Sequence, residues 1–333
     1  MNIFYFSLKI LIRFSLRIYF RNVKIEGAEN VPKNVPLLIT PNHQNALMDA
    51  LVVGAFFPRN IYFLARQDVF NSWSKPILKA LKMMPVYRIR DGYSQLKNND
   101  GIFNACFDLF STNKSVLIFP EGNHGEHHYL RPLTKGAARM ALQSEEAMNK
   151  SLMILPVGVN YFDHKRARST VLTVYGKPIP VSDFSEGYQK NPAIALKDLR
   201  KIMTEAMQET LVIPEESTNY EKEKAAIFQE KHSHLNLSQL REIKIEEDLG
   251  IKPTGKRVIA RVLNPFPFWM IERKLRSLKD LVFTSTIKFS IGLITFPLWW
   301  TIVFVLFSLF FDIYIGGLIV FTMVVGLFYS YQE

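Results

Sequence analysis

The chain has 333 residues, a formal net charge of +11, 48% hydrophobic and 21% charged residues, and one cysteine. That length admits one sizeable α/β domain with appendages or two small domains, and the charge calls for an anionic partner, either nucleic acid or an anionic membrane surface. The lone cysteine, Cys106, excludes an internal disulfide and fits a reducing, cytoplasmic setting; its place in "GIFNACFDLF" reads as a buried small hydrophobe.

In chain order, "IFYFSLKILIRFSLRIYFR" comes first, with Lys9, Arg13, Arg17 and Arg21 each four residues apart. On a helix they form one basic stripe, with Ile3, Phe4, Ile10, Phe14 and Ile18 around the remainder. Charges inside the run argue against a spanning helix, and the missing small-residue cleavage site argues against a signal peptide. The pattern predicts a helix lying in the headgroup layer with its basic edge against anionic lipid. The alternative is an amphipathic helix docked on the domain.

Next come short apolar runs that predict about seven strands, at 23–25, 37–40, 61–65, 85–89, 115–120, 152–161 and 170–176. Helical patterns fit between several of them at 46–57, 72–83, 93–112 and 134–149, and again at 192–212. The alternation predicts an α/β sheet flanked by helices. Chemistry in such sheets gathers where strands end and helices begin. Three stretches stand there. "PNHQNALMDALV" sets His43 at a strand end and Asp49 in the first helical turn. By itself this admits a plainer reading, with His43 as a cap and Asp49 as a first-turn acid favoured by the helix dipole. "MPVYRIRDG" offers Arg88 and Arg90, two apart and so on one face of a strand, where both could meet one phosphate. "FPEGNHGEHHYLRPLTKG" supplies Glu121 at a strand end, then Gly122, His124, Gly125, His127, His128, Arg131 and Lys135, the composition of an anion-binding loop.

Residues from Glu215 to about Arg257 are charged and weakly apolar, and 262–277 is proline-broken, aromatic and then basic. From Phe289 to Phe311 the chain carries no charge; Asp312 and the nearby Gly316 and Gly317 mark a reversal, and a second apolar run follows. Each run is long enough to cross a hydrocarbon core needing roughly 20 apolar residues, the second only just. The basic flank before the first predicts a transmembrane helical hairpin with both ends cytoplasmic; a buried globular hairpin is the alternative.

Taken together, Asn42-His43…Asp49, "PVYR" ending at Arg88, Phe119-Pro120-Glu121-Gly122 and Leu155-Pro156-Val157 resemble, in order, the motifs of the glycerolipid acyltransferases of the 1-acylglycerol-3-phosphate acyltransferase type. The likeness covers roughly residues 22–180. Two departures resemble instead the fungal glycerol-3-phosphate and dihydroxyacetone-phosphate acyltransferases: five residues rather than four separate His43 from Asp49, and Asn123-His124 follow where an arginine is usual. An inserted residue inside a helix would turn Asp49 by about 100° away from the imidazole, so the pair survives only if the insertion falls in the loop before the helix.

The resemblance implies an O-acyltransferase of phospholipid biosynthesis. A fatty acyl group would pass from acyl-CoA or acyl carrier protein to the hydroxyl of lysophosphatidate, with glycerol-3-phosphate or dihydroxyacetone phosphate as the alternative acceptor. Acyl-CoA or acyl carrier protein would be a co-substrate, with no resident cofactor and no metal. In this reading His43 is the general base, Asp49 its orienting carboxylate, and Glu121 orients the loop or acceptor. Arg88, Gly122, His124 and Arg131 hold the acceptor phosphate, and the strand around Pro156 lines an acyl groove. The implied organisation is a membrane-surface helix (1–21), an acyltransferase domain (22–213), a charged insert with a basic juxtamembrane segment (214–284) and the hairpin (285–333). The protein would be an integral membrane protein with its catalytic domain on the cytoplasmic face. Two rivals stand beside it: a metal-dependent hydrolase using His124, His127 and His128, and a non-catalytic scaffold with a broken His–Asp pair. Nucleic acid is not an expected partner, because no phosphate-cradling glycine loop or aromatic–basic RNA motif is present.

Overall fold

A computed structural model describes residues 3–72, 74–87, 98–148, 151–243 and 257–330. Arg88 and Arg90 lie outside the described residues, as does the end of the strand predicted there. Two compact units emerge, one comprising Met1–Asp163 with Ser169–Ile245, the other His164–Arg168 with Glu246–Glu333.

The first unit opens with helix α1 (Ile3–Tyr19) and is built on an eight-stranded mixed sheet: β1 (Asn22–Glu26), β2 (Leu37–Pro41), β3 (Ile61–Arg66), β4 (Met83–Val86), β5 (Ser115–Leu117), β6 (Met153–Tyr161), β7 (Thr170–Tyr175) and β8 (Ile179–Pro180). The strand order is β1-β7-β6-β2-β5-β3-β4, with β8 also on β6. Strands β6, β2, β5, β3 and β4 are mutually parallel, whereas β7 and β8 run antiparallel to β6. The parallel strands are joined through α2 (Leu47–Phe56), α3 (Ser74–Ala80), α4 (Asn98–Ser111) and α5 (Lys135–Ala147). After the sheet come α6 (Ser185–Lys190), α7 (Pro192–Gln208), α8 (Tyr220–Ile227) and α9 (Leu237–Arg241). Local chemistry sets several starts. Asn191 caps α7 by accepting from the Ala193 and Ile194 amides at 3.2 Å each, with Pro192 at the first helical position. Asn236 and Gln239 close a reciprocal capping box on α9.

The core forms where α4, α5 and α7 cover the sheet, with Phe110, Val116, Met140, Ile154, Leu199 and Met203 buried. A second cluster gathers Leu172, Val174, Ile227, Phe228 and Leu240. Residues 220–241 therefore pack with the sheet, although their sequence is charged: a few apolar side chains suffice, each worth roughly 1.5–3 kcal/mol when fully buried. Cys106 is buried, and burial pushes its thiol up to about 12, so it belongs to this core.

Three expectations are corrected. The run at 115–120 ends as a strand at Leu117, releasing Phe119-Pro120-Glu121-Gly122 into a turn, and the strand expected at 85–89 lies at 83–86. The strand around Pro156 is buried between β2 and β7 and is core rather than groove wall. In α1, Lys9 of the basic stripe is turned to the protein, whereas Arg13 and Arg17 are exposed beside Phe56. Lys9 Nζ donates to the carbonyls of Phe57 (2.7 Å) and Arg59 (3.1 Å), while Arg13 and Arg17 lie 5.3 and 5.9 Å from the Phe56 ring centroid. Those carbonyls stand at the C-terminal end of α2, where the helix dipole favours a cation. The apolar side chains Ile3, Phe4, Ile10, Phe14 and Ile18 of α1 are exposed as well.

The second unit holds α10 (Arg257–Leu263), α11 (Pro265–Arg276), α12 (Thr284–Phe310) and α13 (Ile313–Tyr329). Among the described residues one helical stretch, Leu281–Phe310, is long and apolar enough to cross a membrane; α13 is apolar and shorter. The reversal falls at Phe311–Asp312, where the Asp312 carboxylate accepts from the Tyr314 (2.7 Å) and Ile315 (2.9 Å) amides. Gly316 lies within α13, against Ser308 and the Phe304 carbonyl of α12, where a Cβ would not fit.

Candidate active site

Strands β2 and β5 are adjacent and parallel, so the loops leaving Pro41 and Leu117 emerge from one edge of the sheet. Asn42 continues β2 by pairing with Val159 of β6 through its side chain, donating to its carbonyl (3.1 Å) and accepting from its amide (2.7 Å). His43 follows. Its Nδ1 stands 2.8 Å from Asp49 Oδ2, so the five-residue interval keeps the pair together.

Residues 44–46 absorb the extra residue before α2 begins at Leu47. Ala46 adopts φ 47°, ψ −126°, and the Met48 amide donates to the Asn45 carbonyl at 2.9 Å. This is the first central position of a type II′ turn, a conformation that suits glycine. Here alanine holds it with its methyl group buried. Strain of this kind costs about 1–3 kcal/mol, partly offset in any glycine variant by a more flexible unfolded chain. Ala46→Gly is therefore expected to stabilise the fold by about 1 kcal/mol, read as a raised thermal midpoint with unchanged turnover. A lowered midpoint would show that the methyl's packing outweighs the strain.

Asp49 is fully buried and accepts from three donors: the His43 ring, the Asn45 amide at 2.8 Å on Oδ2, and the Tyr161 hydroxyl at 2.8 Å on Oδ1. A carboxylate can only accept, so the shared proton resides on His43 Nδ1 and leaves Nε2 as the basic nitrogen. Tyr161 is entirely buried, and burial followed by the Asp49 charge holds its hydroxyl well above the usual tyrosine range, as a donor. Phe119 stacks on the imidazole at 3.8 Å and 13°, and the His124 ring meets it edge-on at 5.6 Å.

Glu121 joins the two loops. Its Oε1 accepts from the His43 amide at 2.7 Å and its Oε2 meets Arg131 Nε at 2.6 Å. Burial pushes this carboxyl up to about 7, against the pull of Arg131 and the His43 amide. Arg131 also donates to the carbonyls of Asn123, His124 (3.3 Å) and His43 (3.4 Å). Its guanidinium is thus engaged within the protein, and the expectation of an open phosphate ligand becomes that of a brace. The glycine amides are engaged as well: Gly122, at φ +72°, donates to Phe119 at 3.0 Å, and Gly125 donates to His43 at 3.1 Å. Of the phosphate-binding candidates, His124 sits beside the His43 ring. His128 points away into the core, its ring nitrogens near the Tyr220 hydroxyl (3.3 Å) and the Tyr161 carbonyl (3.1 Å). Among the described residues no three His, Cys, Asp or Glu side chains converge on one point.

Sequence reasoning missed Tyr161 and Phe119 as members of the site. Phe119 was legible inside the Phe-Pro-Glu-Gly motif; Tyr161 carried no signal beyond ending a strand.

Residues 22–160 match the family model described as Acyltransferase. Glycerol-3-phosphate O-acyltransferase 2 of Saccharomyces cerevisiae is 32% identical over 117 residues, 34% of this chain and 16% of that protein. Glycerol-3-phosphate O-acyltransferase 1 of the same yeast is 27% identical over 124 residues, 36% of this chain and again 16% of that protein. The matches to these curated relatives thus span about one sixth of their length. The crystal structure of the 1-acyl-sn-glycerophosphate acyltransferase PlsC from Thermotoga maritima is similar at 18% identity and a TM-score of 0.42, covering 61% of this chain and 78% of that one. By its ordered motifs and the matched family model, the segment 22–160 of this chain is similar to the acyltransferase family.

Proposed function

We propose that the chain transfers a fatty acyl group from a thioester, acyl-CoA or acyl carrier protein, to a hydroxyl of a glycerol phosphate acceptor. The observation that carries this reading is the 2.8 Å contact of His43 Nδ1 with the buried Asp49, made despite the longer interval. Nε2 takes the proton of the acceptor hydroxyl as its oxygen attacks the thioester carbonyl. The tetrahedral intermediate collapses with loss of the C–S bond, and the imidazolium returns the proton to the departing thiolate. Asp49 holds the ring's tautomer and stabilises the imidazolium, in the manner of hydrolase triads. Glu121 and Arg131 hold the His43 backbone against the loop that carries His124, and His124, with Arg88, is the candidate contact for the acceptor's phosphate.

For the acceptor, the motif pattern favours lysophosphatidate. The likeness to the two yeast glycerol-3-phosphate O-acyltransferases, with the five-residue interval and the Asn123-His124 pair, favours glycerol-3-phosphate, which becomes the leading choice. The Leu281–Phe310 stretch and α13 support a membrane hairpin, with the basic residues of 273–279 on the cytoplasmic side. The exposed apolar side chains of α1 support a helix lying in the interface.

The test crosses two donors with the two acceptors on one membrane preparation. Glycerol-3-phosphate is expected to be acylated with the higher kcat/KM. A preference for lysophosphatidate would reverse the acceptor assignment, and no acyl transfer with any pairing would refute the reading.

A further inference from the structure

In the second unit, α10 and α11 form a pair broken at a single residue, Asn264. They pack on α12 and α13. Phe268 and Phe296 meet at 5.6 Å, Phe266 and Trp299 at 5.9 Å, and Leu263 fills the space left by the missing side chain of Gly326.

Asn264 is fully buried, and its side-chain amide is bonded at both its nitrogen and its oxygen. Nδ2 donates to the carbonyls of Ala260 (3.2 Å) and Met323 (3.4 Å), and Oδ1 accepts from Trp300 Nε1 at 2.8 Å. The following helix begins Pro265-Phe266-Pro267. Two of the first three amides of α11 thus carry no N–H, so donors that a helix start ordinarily leaves to water do not exist here. A break whose buried apex side chain is bonded at both ends, and which carries two fewer backbone donors, suits a medium poor in water.

Depth follows from helix geometry. Trp300 lies ten residues before Phe310, and Met323 ten after Ile313, so both stand about 15 Å from the reversal, at about half the roughly 30 Å thickness of a hydrocarbon core. The outward faces agree: Val258, Val262 and Trp269 are 60, 70 and 53% exposed. From Val258 to Ile271 the sequence holds one charge, Arg261, and its guanidinium is neutralised by Glu272 at 3.0 Å. The basic residues Arg273, Lys274 and Arg276 come only at the far end of α11.

We propose that α10 and α11 are a re-entrant hairpin, entering and leaving the hydrocarbon layer on one side with Asn264 at its apex. The surface they present is occupied by lipid chains. This rests on the reading of α12 as membrane-spanning.

The full-length protein in sealed vesicles tests it with single cysteines at Val262→Cys, Ser277→Cys and Phe311→Cys, in a Cys106→Ala chain, or in the parent chain with Cys106 labelling subtracted if that variant fails to accumulate. The thiolate is the reacting species and apolar surroundings raise the thiol's pKa, each unit making it tenfold scarcer. Charged maleimide is expected to label the Val262 variant about tenfold or more slower than the Ser277 variant, until the bilayer is dissolved. A fluorophore at position 262 is expected to be quenched more strongly by nitroxides at mid-chain than by nitroxides near the headgroup. Equal labelling of positions 262 and 277 overturns the proposal. So does protection of position 262 without quenching by lipid nitroxides, which would mean cover by protein, such as a second copy of the chain. Phe311 labelling from the same side as Ser277 overturns the spanning reading itself, and acyl transfer is scored separately on each variant.

Discussion

Replacing His43 with alanine is expected to lower kcat by about 10²–10⁴-fold, the usual contribution of a positioned proton acceptor, with the fold intact. The ring packs on Phe119 and accounts for little of the core, so the variant should accumulate and unfold much as the parent does. Asp49→Asn is the sharper companion. It keeps the shape but replaces an acceptor of three hydrogen bonds by a group with a donor end, so the imidazole is no longer held with its proton on Nδ1. Its kcat should fall by a similar factor. Acyl transfer measured in membranes under saturating donor and acceptor decides the matter: a His43→Ala protein that keeps its rate excludes the proposed base, and leaves the arrangement as a structural relic.

The second large effect is on stability. Arg131→Met should destabilise the first unit by about 3 kcal/mol, because it removes the partner of a carboxyl that is 2% exposed. The pH dependence separates this from simple lost packing. Burial has already raised Glu121 from 4.5 to about 7, and without Arg131 the value rises further. An acid whose folded value lies above its unfolded one binds more protons when folded, so its stability contribution falls as pH rises between the two values. The deficit of Arg131→Met should therefore be small near pH 5 and grow toward pH 8, followed by thermal unfolding across that range. Pairing it with Glu121→Gln, which removes the titrating group, should flatten the dependence. A deficit independent of pH would show that the Glu121 charge plays no part.

Much of the sheet was legible because β-branched runs alternate with helical periodicity, and six of the seven expected strands fall where the structure has them, β5 ending early. The faults have physical causes. The Phe-Pro-Glu-Gly run is as apolar as the strand before it, and its turn is set by a positive φ at Gly122 and by Thr134 bonding back to the Pro120 carbonyl at 2.9 Å, a long-range contact with no local signature. The basic stripe of α1 was visible, but the turning of Lys9 to the protein depended on the carbonyls that end α2. In the site, residue types pointed to His43, Asp49 and Glu121, whereas Tyr161 reaches Asp49 across 112 positions of sequence. Arg131 read as a ligand because a cation in a polar loop is ambiguous until its partner, Glu121, is seen beside it.

The turn at Ala46 bears on how relatives of this domain are found. Because one additional amino acid is swallowed ahead of α2, the histidine-to-aspartate interval is a property of the connecting turn and not of the chemistry. A search pattern that fixes that interval at four would pass over this chain and any other whose turn bulges in the same way.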